Sequence, residues 1–97
     1  MKIEGKVLKN WFTQGIGLMF SKKRTVIFEL RKERIEGIHM LFVFFPLDVY
    51  FLDKDKRIIE IKQGLKPFMF YAPKQKAKYI VETPFDIPLK KGDYVEW

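Results

Sequence analysis

Apolar and polar residues alternate with a period of two along most of the chain, the pattern of strands with one face on a core. Residues 2–9 carry Ile3 and Val7 on one face and Lys2, Glu4 and Lys6 on the other, predicting a first strand. Gly15 and Gly17 bracket a turn, and Leu18, Met19 and Phe20 are enough for one helical turn but not for a long helix. From Thr25 to Arg31 the alternation is clean, with Val26, Phe28 and Leu30 on one side. The charged Arg31-Lys32-Glu33-Arg34 reads as a hairpin turn, with Ile38–Phe45 as the return strand. That return strand is apolar on both faces and so calls for cover on both sides.

Pro46 cannot donate to a ladder and marks a strand end or bulge. Leu47–Leu52 resumes as a strand, Asp53-Lys54-Asp55-Lys56 forms a tight turn, and Arg57–Lys62 completes the clearest hairpin of the sequence. A loop follows through Pro67. Phe68–Tyr71 reads as a short aromatic strand stopped by Pro73. Ala77–Thr83 alternates, with Ala77, Tyr79 and Val81 set against Lys78, Ile80 and Glu82. Pro84 and Pro88 bracket a loop, Lys91-Gly92-Asp93 turns, and Tyr94–Trp97 forms a last strand. The sum is a mainly β fold of seven to eight short strands with at most one or two short helical turns. The favoured architecture is a small closed or strongly curled antiparallel barrel-like sheet, since closure removes exposed edges. A two-sheet sandwich is the alternative.

Length sharpens this picture: 97 residues with 47% hydrophobic content suit one domain, 1–97, with a core of its own. The absence of cysteine removes disulfide, thiolate-zinc and thiol chemistry and suits a reducing cytoplasm. The longest apolar run, Ile38–Leu52, is too short for a helical span of ~20 residues and is broken by Pro46 and Asp48, so no membrane span is expected. The amino-terminal residues lack an apolar signal-peptide core. Abundant Lys and Glu beside a single Asn and three Gln match the composition of proteins from hot environments. The net charge of +7 lies mostly in the first third, densest at Lys22, Lys23 and Arg24 and at Arg31, Lys32 and Arg34.

Few residues carry chemistry. A calcium loop from Asp53 would need Gly and Glu where Ile58 and Gly64 stand. Gly15-Ile16-Gly17 lacks the third glycine and the helix of a dinucleotide loop. Ser21, His39 and Asp48 hold the residue types of a hydrolytic triad without a nucleophile elbow. One histidine without cysteines is a poor start for a metal centre, so no metal or other cofactor is expected. Asp48 stands out as an acid inside an apolar strand. It either binds backbone amides or an Arg at a bulge after Pro46, or it anchors a ligand together with His39 and Met40. Aromatic residues Phe68, Phe70 and Tyr71 ahead of Lys74, Lys76 and Lys78 resemble the stacking and phosphate groups of single-strand binders.

Four segments in order carry a family resemblance: Gly17-Leu18-Met19-Phe20; Thr25 through Met40; Pro46-Leu47-Asp48 with Phe51-Leu52-Asp53; and Ala77-Lys78-Tyr79-Ile80-Val81-Glu82 with the closing Gly92-Asp93-Tyr94-Val95. On these residues the sequence resembles domain of unknown function 192, also called uncharacterised protein family 0127, in its archaeal form. The resemblance implies a compact, mostly β domain and brings no activity with it. This chain departs from the family at Ile38–Val43, where His39 replaces a Trp and an expected Lys-Asn-Thr trio is Leu41, Phe42 and Val43. The functional expectations are therefore three. The first is a non-catalytic binding module, with Lys22, Lys23, Arg24, Lys74 and Lys76 as candidate contacts to an anionic partner such as nucleic acid. The second is a homodimer or other complex through the doubly apolar 38–45 strand. The third is a small-molecule site or enzyme at a barrel mouth using Asp48, His39 and Met40.

Overall fold

The computed structural model describes residues 1–9, 23–39, 45–67 and 69–97, with only the backbone described for residues 8, 9, 38 and 39. The strands are β1 (Lys6–Lys9), β2 (Val26–Arg34), β3 (Ile38–His39), β4 (Leu47–Leu52), β5 (Ile58–Leu65), β6 (Phe70–Tyr71) and β7 (Ala77–Thr83). Five of them form one sheet in the order β1-β2-β7-β4-β5, and β3 and β6 form a separate two-residue ribbon. Among the described residues there is no helix.

The hairpin predicted around Asp53 forms as β4 and β5. Its turn is held by the Asp53 carboxylate, which accepts the amides of Asp55 (2.8 Å) and Arg57 (3.0 Å). Other expectations are corrected. Residues 31–34 continue β2 rather than turning, and β2 pairs with β1 and β7 instead of with a 38–45 return strand. Residues 63–65, expected in a loop, belong to β5. The predicted Tyr94–Trp97 strand makes only isolated bridges.

Of the expected closed or strongly curled antiparallel barrel-like sheet, closure and purely antiparallel pairing are overturned: the sheet is open and mixed, because β1 runs parallel to β2 and does not meet β5. In place of closure, the carboxy-terminal segment spans the two edges at one end. Tyr94 bridges Arg57 at the start of β5, and Glu96 bridges Lys2 ahead of β1. The amide of Ile3 donates to Glu96 (2.8 Å), that of Val95 to Lys56 (2.9 Å), and that of Ile58 to Asp93 (2.8 Å). These bonds tie the residues ahead of β1 to the start of β5, and among the described residues no further strand lies on either outer edge.

Both sheet faces are buried, which explains why β4 reads as apolar on both faces apart from Asp48. On one face Val26, Phe28, Leu30, Val49, Phe51, Leu65 and Ile80 form a cluster flanked by Phe45, Ile59 and Tyr71. On the other Ile27, Tyr50, Leu52, Ile58 and Val81 pack with Ile3, Leu89 and Val95. Three irregularities interrupt the ladders. Between Glu29 and Arg34 the β2–β7 register shifts, and the Lys78 ammonium donates to the carbonyls of Leu30 and Arg31 freed there. That shift places Ala77 in the cluster of Ile80, not with Tyr79 and Val81 as alternation predicts. Two further shifts bend β5 against β4, one near Gly64 and one near Ile59.

Candidate functional site

The shift near Gly64 accounts for Asp48. Leu47 pairs with Leu65 and Val49 with Lys62, so β5 holds one extra residue opposite Asp48. Gly64 absorbs it in the left-handed region (φ 63°), and its freed amide donates to Asp48 Oδ1 at 2.8 Å. Asp48 is half-buried, and its charge adds to burial in raising the Tyr50 phenol above its ordinary value. His39 pairs through its backbone with Phe70 in the small ribbon. Its side chain, Met40 and Lys22 lie outside what is described. Lys23 is exposed, with its ammonium 5.9 Å from the Phe45 ring, and Arg24 is half-buried and engaged by neighbours. Lys74 and Lys76 are exposed on the loop before β7.

Of these residues, Lys74 joins a larger constellation. A groove of about 370 Å³ runs beside β5, lined among the described residues by Ile59, Glu60, Ile61, Tyr71, Lys74, Gln75 and Lys91. A neighbouring hollow of about 360 Å³ shares Ile59, Gln75 and Lys91 and adds Arg57. The groove exists because the carboxy-terminal segment pairs with β5 only as far as Ile58. There Gly92 N–H and Asp93 C=O satisfy the outward backbone of Ile58 (2.8 Å each), and the chain then turns away. The loop carrying Lys74 and Gln75 forms the opposite wall.

Three cations, Arg57, Lys74 and Lys91, rim this space. Among the described residues lining it, Glu60 is the one carboxylate, and both of its oxygens are engaged. Oε2 accepts the Tyr71 hydroxyl, and Oε1 accepts the Lys74 amide at 2.9 Å. The Tyr71 phenol is held above its ordinary value by that hydrogen bond first, then by burial and by the Glu60 charge. Its ring sits 5.9 Å from Phe51 and 5.7 Å from the Lys62 ammonium. The tyrosine and the carboxylate are thus tied to each other and to the loop, and the three cations of the two hollows outnumber their one lining carboxylate.

Sequence reasoning singled out Lys74 but missed Arg57 and Lys91. They meet through the long-range bridge between Arg57 and Tyr94, which no local pattern announces. It also passed over Glu82. This residue is 3% exposed, and its cross-strand neighbours are Val26 and Val49 of the first cluster. Burial pushes its carboxyl up to about 8. Among the described residues no group of three or more metal-ligating side chains occurs, and no helix is long and apolar enough to cross a membrane.

This fold has a counterpart among solved structures. A crystal structure of a protein of unknown function from Novosphingobium aromaticivorans superposes with a TM-score of 0.80 at 23% identity, covering 94% of this chain and 72% of that one. The sequence comparison decides the family: residues 1–97 match domain of unknown function 192, described as Uncharacterized ACR. The chain belongs to this family. Its relatives within the family are UPF0127 proteins of thermophilic archaea. One from Pyrococcus furiosus is 41% identical, the alignment covering all of this chain and 89% of that protein. Another, from Thermococcus sibiricus, is 34% identical over 95% of this chain and 64% of its own length. Domain of unknown function 192 has no established activity, so the geometry of the β5 groove has to speak for itself.

Proposed function

We propose that this chain is a non-catalytic binding module whose recognition surface is the cationic groove beside β5. The observation that carries the reading is a groove holding Lys74 and Lys91, with Arg57 in the adjoining hollow, whose lining carboxylate, Glu60, is already tied to Tyr71 and the Lys74 amide. Such a rim concentrates anionic partners from solution, and its contribution weakens with salt. Exposed lysine at Lys74, outside the core, supplies charge that can be reversed without disturbing packing.

The test is fluorescence anisotropy with labelled polyglutamate over a series of salt concentrations. The double variant Lys74→Glu/Lys91→Glu is expected to weaken binding at least roughly tenfold and to flatten the salt dependence. The companion variant Lys22→Glu/Lys23→Glu, in the other basic region of the sequence, is expected to change affinity little. If the companion variant carries the loss and the groove variant does not, the recognition surface is the basic amino-terminal third instead.

A further inference from the structure

We infer that the partner of this groove is an extended acidic peptide segment that pairs with the free edge of β5. The inference rests on the cationic groove of the preceding section and adds the backbone. Among the described residues β5 ends the sheet order, and no strand lies on its outer edge. Its first residues are covered by the carboxy-terminal segment, as the bonds of Ile58 to Gly92 and Asp93 show. Beyond Ile58 that cover stops and the groove begins. The groove straddles the edge itself: Ile59 packs against the cluster on one sheet face and Ile61 against the cluster on the other, and both line it. An exposed edge presents unpaired N–H and C=O groups, and an incoming strand satisfies them by continuing the ladder.

Charge selects the occupant. Lys74 and Lys91 line the groove and Arg57 the adjoining hollow, so acidic side chains of an added strand would enter a cationic surround. A second copy of the same edge would bring three cations against three, which disfavours self-pairing through β5. Single-stranded nucleic acid would satisfy the charges, but it binds such surfaces by stacking bases on open aromatic faces. The groove's aromatic residue, Tyr71, is already engaged: its hydroxyl on Glu60, its ring beside Phe51 and Lys62. A strand that brings its own amides and carboxylates uses what the groove offers.

The experiment compares three labelled probes on the intact chain: a peptide alternating Glu with Val and Thr, the same peptide N-methylated at alternate amides, and a single-stranded oligonucleotide. The unmodified peptide is expected to bind, to lose roughly tenfold or more on N-methylation, and to slow amide exchange at Ile59–Gln63. Equal binding of methylated and unmodified peptide, both abolished by Lys74→Glu/Lys91→Glu, would overturn strand addition and leave the anion groove standing. Tighter binding of the oligonucleotide, with no protection of β5, would overturn it in favour of nucleic acid. Failure of all three probes to bind at low salt would remove the groove reading as well.

Discussion

Glu82 shows how much one residue can weigh in a small sheet. It sits on the middle strand of five, between two valines, with its carboxyl raised from the ordinary 4.5 to about 8. The group therefore folds as a neutral acid. Stability is fullest below pH 4.5, where the carboxyl is protonated in both folded and unfolded chains. It falls as pH rises from 4.5 towards 8, because the unfolded chain releases the proton first. At about 1.4 kcal/mol per unit, the loss over that window is on the order of several kcal/mol. Glu82→Gln keeps the shape without the proton, so its melting temperature is expected to stay nearly level between pH 5 and pH 8 while that of the parent chain drops. Equal pH dependence in the two proteins would show that other groups set it. The strand holding Glu82 was legible in the sequence, but its burial was not. Period-two alternation assigned it to a face with Lys78 and Ile80, and which face is covered depends on partners that alternation does not name.

Among the elements, β5 is the one whose irregularities lie beside the groove. The hairpin it makes with β4 was plain in the sequence, because Asp53 and its charged neighbours form a turn between two apolar runs. Its two extra residues were not, and these bends set the shape of the site. Gly64 takes the left-handed backbone that one bend requires, and a Cβ added there would meet nothing within 4 Å. Gly64→Ala therefore isolates the backbone cost. Chemical denaturation is expected to show a loss of about 1 kcal/mol, with the slope of the transition unchanged. A neutral result would mean that the bend is held by the Asp48 bond rather than by glycine's freedom. The register shift opposite Lys78 follows the same logic: it moves Ala77 to the other face and so breaks an alternation that the sequence alone appeared to keep.

At the scale of the whole molecule, the family and the mainly β character were both legible, the first in four ordered segments and the second in the strand period. The topology was not. Parallel pairing of β1 with β2 and the strap from Asp93 to Glu96 depend on contacts between distant parts of the chain, which periodicity cannot encode. Val95, 2% exposed, is the strap's apolar anchor in the second cluster. Val95→Ala is expected to cost roughly 1–3 kcal/mol in denaturant unfolding. It is also expected to speed amide exchange at Ile3 and Ile58, one at each edge, ahead of the central strands. Exchange rising uniformly across the sheet would show instead that the strap belongs to the same cooperative unit as the core.

The strap has one more consequence. The stretch that joins the two edges also supplies, through Lys91 and Gly92, a wall of the hollows beside β5. Fastening the sheet and shaping the groove are therefore one event, and linkage makes them reciprocal. On the proposed reading of the groove, a guest held against that wall would tighten the clasp at the far edge, and a clasp that slipped would loosen its hold on the guest. A signal of that kind would not need to cross the core to reach the opposite side, because a short piece of backbone already runs between them.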